Sequence, residues 1–312
     1  MSNLALYLVT VLAWGSTWLA INFQLGDVAP EVSLVYRYLI AAGLLFAWCG
    51  LRRESLRFPL HAHVRFAQMG VLLFGLNYIA TYSAQQYISS ALNATAFSTM
   101  VWMNIINARI FLGTRIEPRV YLGAALGMVG IVTLFWPEVS QLSLSDKTIY
   151  GSALCLGGAL LASLGNIVSQ KAQHQQLPVL QSNAWGMFYG ALFTAMVALR
   201  QGEDFIFEPS LAYTFSLLYL AIFGSVVAFG CYLTLLGRIG AHRAGYAVVM
   251  FPVVALLLSI IFEGLQVSPH ILAGVALVLG GNGVILARSR GKPRSPDRRF
   301  PEPLSRALAD PG

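Results

Sequence analysis

Charge is what this chain has least of. Only 11% of its 312 residues are Asp, Glu, Lys or Arg, against about 25% in an ordinary soluble domain. With 57% hydrophobic residues, it cannot cover its own core with polar surface, which excludes a soluble globular fold. Short segments of alternating apolar and polar residues are missing too, which excludes a transmembrane β-barrel. Cysteine is scarce: Cys49, Cys155 and Cys231 fall inside apolar runs without metal or redox spacing and read as small buried hydrophobes. Enzyme motifs are absent. His61 and His63 form a lone pair in a basic loop with no acid or cysteine nearby, and "GGNG" near Gly280 lies inside an apolar run, not in a phosphate loop. No metal, cofactor or catalytic residue is expected. No acid lies near the centre of any apolar run. A membrane carboxylate that trades protons for cations, as in small multidrug pumps, is therefore not on offer.

What is there is a series of apolar runs of ~20 residues, each long enough at ~1.5 Å per residue to cross a ~30 Å hydrocarbon layer. They fall at about 4–24, 31–51, 66–84, 91–111, 120–136, 149–169, 180–199, 211–233, 244–262 and 270–288. The expected fold is an all-α integral membrane protein with ten transmembrane helices. The first run lacks a basic leader and a small-residue cleavage site, so it reads as a retained helix.

The net charge of +7 is explained by where the charges sit. With the N-terminus inside, the inner loops hold Arg52, Arg53, Arg57, Arg65, Arg109, Arg115, Arg119, Lys171, Arg238 and Arg243. The segment from 288 holds seven more basic residues. Only Arg37, Lys147 and Arg200 fall outside. The excess is thus a positive-inside signal that places both termini in the cytoplasm, and it gives no reason to expect nucleic acid as a partner. The tail over 289–312 is rich in Pro and Arg and expected to be disordered; beside a last helix, a basic stretch also favours anionic lipid headgroups.

Shifting the chain by 151 positions lays "ISSALNATAFSTMVWMNIINARIFLGTRIEPRVYLGAALGMVG" on "IGAHRAGYAVVMFPVVALLLSIIFEGLQVSPHILAGVALVLGG" without a gap. Gly113, Pro118 and Gly123 fall on Gly264, Pro269 and Gly274. Apolar sequences match easily by chance, but a Gly-x4-Pro-x4-Gly frame kept between two spans in both copies is harder to dismiss. Two halves of five spans each, 1–137 and 148–288, would enter the membrane from opposite sides. Such inverted-topology repeats are the plan of many secondary transporters, with the site near the midplane between the halves.

Several stretches resemble the drug/metabolite transporter superfamily, in particular its EamA-type members: "AWGSTW" in the first run, "YRYLIAAGLL" in the second, and "YLGAALGMVGIVTLF" and "ILAGVALVLGGNGVIL" in the fifth and tenth. The resemblance covers about residues 4–288. It implies a ten-helix carrier of the bacterial inner membrane that exports amino acids, other small metabolites or drugs. Members usually carry Pro within the fourth helix and Gly-Glu at its end. This chain has Val101-Trp102 and Gly113-Thr114 there. The second copy keeps Pro252 but shows Glu263-Gly264. The first half is therefore expected to have lost its helix break.

Polar groups inside hydrocarbon need partners and usually face the bundle interior or a wet cavity. The fourth run is the most polar, with Asn93, Thr95, Ser98, Thr99, Asn104 and Asn107, and is expected to line a pathway. Trp48 and Trp136 lie at span ends, as interfacial tryptophans do; Trp14 and Trp102 lie near span centres, where they either pack or wall a substrate site. On the first helix Trp14 and Trp18 stand one above the other, with Thr17 beside them, Ser16 pointing away and Gly15 open to a neighbouring backbone. Arg37 either snorkels or pairs with Glu31 or Asp27, or it anchors a carboxylate solute. The candidate substrate wall is Trp14, Thr17, Trp18, Arg37, Tyr78, Tyr82, Ser98, Trp102, Tyr189 and Tyr246. The function expected is efflux of a small organic solute by alternating access, through a monomer or homodimer in the lipid bilayer. The alternatives are a non-transporting scaffold or receptor, which would leave no wet cavity, and a nucleotide-sugar or sugar-phosphate exchanger, which would need more cations than Arg37.

Overall fold

The computed structural model describes residues 1–24, 26–88, 90–140, 145–262 and 268–286. Glu263, the basic tail and the side chain of Trp18 lie outside that description. Every regular element among the described residues is a helix, with no strand. In chain order they form α1 (Asn3–Asn22), α2 (Pro30–Leu51), α3 (Leu60–Met69), a π-helical segment π1 (Gly70–Leu76), α4 (Asn77–Gln85), α5 (Ser90–Phe97), α6 (Met100–Leu112), α7 (Pro118–Leu134), α8 (Trp136–Ser140), α9 (Asp146–His174), α10 (Val179–Gln201), α11 (Leu211–Tyr219), a second π segment π2 (Leu220–Val227), α12 (Ala228–Ile239), α13 (Ala241–Ala244), α14 (Ala247–Phe262) and α15 (Pro269–Leu286). Pro30 and Pro118 open their helices at a position where the missing N–H costs nothing.

Pro30–Leu51, Asp146–His174 and Leu211–Ile239 are long and apolar enough to cross a membrane, and shorter apolar helices run over Asn3–Thr17, Pro118–Leu134 and Pro269–Ile285. Many large apolar side chains face outward, among them Leu12, Leu122, Met196, Phe215 and Leu272. In water that surface would be an aggregation hazard; in lipid it is the solvated face.

The rods over 60–85 and 211–239 are each continuous but switch to π-helical winding near their middles. Shifted by 151 positions, π1 falls on residues 221–227, within π2. The fourth apolar run behaves otherwise than expected. It lacks the family's proline, yet it breaks between α5 and α6 at Ser98 and Thr99. The Thr99 hydroxyl donates to the Ala96 carbonyl, and the amides of Thr99, Val101 and Trp102 bond three residues back. Side-chain competition for a helix carbonyl, with a tightened turn, replaces proline as the breaker.

Helices pack in pairs: α7 on α15, α2 on α10, α4 on α9, α1 on α12 and α14, and α6 on α9. The α7–α15 seam depends on glycine. A Cβ at Gly130 would lie 2.8 Å from the Val278 amide nitrogen and 2.9 Å from the Gly274 carbonyl oxygen, and one at Gly274 would lie 2.8 Å from the Gly130 oxygen. Backbones this close gain dispersion and weak contacts that replace the missing hydrophobic drive between helices in lipid.

At one end of the bundle, outside the spanning segments, Glu117 accepts from both Arg119 and Arg243. It thereby ties the start of α7 to α13. The Ala241 amide donates to Gln170 Oε1 (2.9 Å), joining α13 to α9. His242 packs into this junction beside Gly240, whose φ of 85° suits glycine alone. Burial, and then the neighbouring Arg243 charge, push the His242 pKa down from 6.5 to about 4, with Glu117 opposing.

Two outcomes follow from this packing. Gly130→Leu should force α7 off α15 and cost about 1–3 kcal/mol or more, read as a lowered melting temperature in detergent; an unchanged melt would mean that the seam is loose. Because folded His242 stays neutral while unfolded His242 protonates, its contribution to stability is full above pH 6.5 and is lost as pH falls towards about 4. Wild type should therefore lose more melting temperature than His242→Gln between pH 7 and pH 4.5. Parallel losses would show that the acid sensitivity belongs to other groups.

Candidate functional site

In the middle of the bundle the polar and aromatic residues converge on one cavity. Its wall takes Trp14, Thr17 and Ile21 from α1, Arg37 from α2, Leu73 from π1, and Asn77, Tyr78, Thr81, Tyr82 and Gln85 from α4. Phe97 and Met100 border the helix break, and Ala162, Asn166, Phe229, Tyr232, Val248 and Phe251 complete the lining from the second half of the chain. Centres of water-sized molecules have about 100 Å³ in which to move. One water needs about 10–15 Å³ on that measure, so the space accepts several waters or a small organic molecule.

One side of the cavity is aromatic. Tyr38 packs on Phe74 (5.4 Å), Phe74 on Phe229 (4.8 Å), and Phe229 on Trp14 (4.7 Å); Trp14 also meets Tyr232 (5.0 Å) and Phe251 (5.4 Å). The rings meet edge-on or tilted, the arrangement their quadrupoles favour. Trp14 is fixed further by its indole N–H, which donates to the Gly224 carbonyl of π2 at 2.9 Å. A π segment shifts its hydrogen bonds by one residue and re-aims its carbonyls. Gly224 is open enough for the Thr17 methyl and an Arg37 nitrogen to approach where a side chain would stand.

The other side is polar. Arg37 is 3% exposed. Its Nε donates to Ser225 Oγ of π2 at 2.8 Å, and its guanidinium lies over the rings of Tyr78 (5.2 Å) and Tyr38 (5.3 Å). Ser225 in turn donates to the Leu220 carbonyl five residues back. Among the described residues no carboxylate is paired with Arg37: Glu31 and Asp27, the partners the sequence suggested, do not reach it. Lower in the wall, Asn166 Nδ2 donates to Tyr232 Oη (2.9 Å) and to Asn104 Oδ1 (3.2 Å), and Asn107 donates to Ser163 (2.9 Å).

Of the sequence-nominated residues, Trp14, Thr17, Arg37, Tyr78 and Tyr82 line the cavity together. Trp18 belongs to α1, with its side chain outside the described residues. Ser98 is buried at the helix break, away from the lining. Trp102 packs beside Tyr121. Tyr189 stacks on Trp185 and hydrogen-bonds to His63, outside the cavity. Tyr246 is buried in the glycine seam, where it donates to the Val278 carbonyl at 3.0 Å. The fourth run's asparagines tie α5 and α6 to α4 and α9: Asn93 donates to the Thr81 carbonyl, and Asn104 and Asn107 meet α9. Of that run, Phe97 and Met100 are the described residues that line the cavity. The lining residues not nominated include Asn77, Asn166, Phe229, Tyr232 and Phe251. Asn77 and Asn166 carried a signal, being amides deep in apolar runs. The aromatics of α12 and α14 were indistinguishable from ordinary core.

These features define a multi-pass helical membrane protein with a central cavity lined by both ends of its chain. The chain belongs to the EamA-like transporter family, which matches it over residues 1–136 and again over 149–287. It is 28% identical to the uncharacterized inner membrane transporter YedA of Escherichia coli over 257 residues (82% of this chain, 79% of the relative). It is 25% identical to the uncharacterized transporter YoaV of Bacillus subtilis over 278 residues (86% and 91%). A probable amino-acid metabolite efflux pump of Salmonella typhimurium is 26% identical over 287 residues (88% and 92%). One crystal structure superposes with a TM-score of 0.75 over 91% of this chain and 96% of its own, at 19% identity, a likeness of fold alone.

The polar wall can be tested directly. Asn166→Ala strands the buried Asn104 Oδ1 and the Tyr232 hydroxyl, and should cost about 1–3 kcal/mol of stability. Tyr232→Phe, which removes one acceptor and keeps the ring, should cost less. Equal melting temperatures for Asn166→Ala and wild type would show that water replaces the amide freely.

Proposed function

We propose that the protein is a secondary transporter that exports a small organic solute, an amino acid or a related metabolite, across the bacterial inner membrane. It works by alternating access between two inverted five-helix halves, 1–137 and 148–288, in a ten-span chain with both termini in the cytoplasm. The observation that carries this reading is the cavity, whose wall draws Trp14, Arg37 and Tyr78 from one half and Asn166, Phe229 and Phe251 from the other. A site held between two bodies opens to one side or the other as those bodies tilt.

Three further observations support the two halves. The same family matches the chain twice. The π segments fall at equivalent positions under the 151-residue shift. The packing pairs exchange under the repeat: α4 on α9 corresponds to α12 on α1, and α6 on α9 to α14 on α1. The Salmonella relative's name as an amino-acid metabolite efflux pump favours that solute class. A scaffold gives no reason for the cavity, and a nucleotide-sugar exchanger would need more than one cation in it. The lining contains no Asp or Glu, so the coupling proposed is facilitated diffusion or exchange, without a proton-carrying carboxylate.

Purified protein in liposomes should show counterflow with at least one member of a panel of amino acids and related metabolites. Trp14→Ala or Phe251→Ala should lower the rate more than tenfold while the protein still melts cooperatively. If no solute moves although the protein is folded, the carrier reading fails. Uphill movement driven by a pH gradient alone would overturn the coupling.

A further inference from the structure

Arg37 is the one Lys or Arg in the described lining of the cavity. Its guanidinium is buried, and among the described residues its Nη1 has no hydrogen-bond partner. Its described neighbours in the wall are the Ser225 hydroxyl, the side chains of Tyr38, Tyr78 and Tyr82, and the open α-carbon of Gly224, all without formal charge. The other lining residues include no acid and no second base. A cation in such a place is costly unless an anion accompanies it. The remaining polar groups of the wall have a different character. Asn77 Oδ1 and Asn166 Oδ1 are buried, unpartnered carbonyl oxygens; they suit a neutral donor such as an amide N–H or a hydroxyl. An ammonium group would meet those same oxygens with no counter-charge, and would share the cavity with Arg37.

We infer that the cavity takes an organic monoanion: one carboxylate on Arg37, a neutral polar group on Asn77 and Asn166, and an apolar body against Trp14, Phe229 and Phe251. This rests on the carrier reading above and sharpens it. Within amino-acid metabolites it selects those whose amine is acylated or absent, over the free zwitterions. The guanidinium's planar fork matches a carboxylate. Ser225 fixes the fork's orientation by accepting from Nε, and among the described residues Nη1 is left without a partner for the solute to supply. One carboxylate brings the site to neutrality, whereas a zwitterion leaves it at net +1 and a cationic amide at net +2.

The test uses the full-length protein in detergent and three compounds on each of three bodies, alanine, leucine and phenylalanine: the N-acetyl acid, the free amino acid and the amino-acid amide. Binding is read from the melting temperature and from tryptophan fluorescence. The expected order is N-acetyl acid over free amino acid by at least tenfold, with the amide not binding. Arg37→Gln should abolish the preference for the acid, and Arg37→Lys should keep part of it. The ranking in wild type decides the matter even if Arg37→Gln does not fold. Equal or tighter binding of zwitterion or amide overturns the inference, as does failure of all nine compounds to bind. Chloride or inorganic phosphate alone shifting the melt as far as the acids would assign Arg37 to an inorganic anion and also overturn it. Counterflow with some other solute would still stand in each case, so loss of the charge rule and loss of the carrier reading are told apart.

Discussion

Hydrocarbon offers no hydrogen bonds, so the polar groups this chain carries into the membrane depend on partners within the protein or its cavity. Each unmet backbone group costs several kcal/mol. That constraint organises the structure from the seam to the cavity. Where two helices need to meet closely, glycines let backbone face backbone along α7 and α15. Where hydroxyls and amides are buried, they bridge helices or fold back on their own carbonyls, as Asn107 does to Ser163 and Thr81 to Asn77. Arg37 is the severest case, since a guanidinium has five donors and no way to become neutral.

The two π segments answer the same constraint in another way. A single extra residue per turn redirects carbonyls without breaking the rod, and π2 uses this twice beside the cavity. Gly224 offers its carbonyl to Trp14, and Ser225 offers its hydroxyl to Arg37. The ring and the cation that dominate the wall are therefore both positioned by one irregular turn from the opposite half of the chain. The two contacts span 210 and 188 positions of sequence, so the wall exists only when α1 and α2 pack against π2.

The cavity divides its chemistry cleanly. Its aromatic side is made of rings already packed on each other, a preformed apolar surface. Its polar side supplies one fixed charge and two neutral acceptors.

The chain's poverty in charge and its run lengths determined by themselves that it lies in a membrane as helices. The Trp14–Thr17 face and the depth of Arg37 were legible because a helix places residues four apart on one line and because a cation in an apolar run is rare. Tertiary structure decided the rest. It sent Tyr246 and Trp102 to packing positions and Tyr189 to a cluster with His63, because an aromatic in an apolar run serves a seam as readily as a cavity. It broke the fourth run at Thr99 without a proline, since a hydroxyl's choice of carbonyl depends on local geometry that spacing does not encode. It also denied Arg37 the acids at its own helix end and gave it Ser225, a residue 188 positions away. Only the packing of distant helices could decide that the cation would border the cavity with no carboxylate beside it among the described residues.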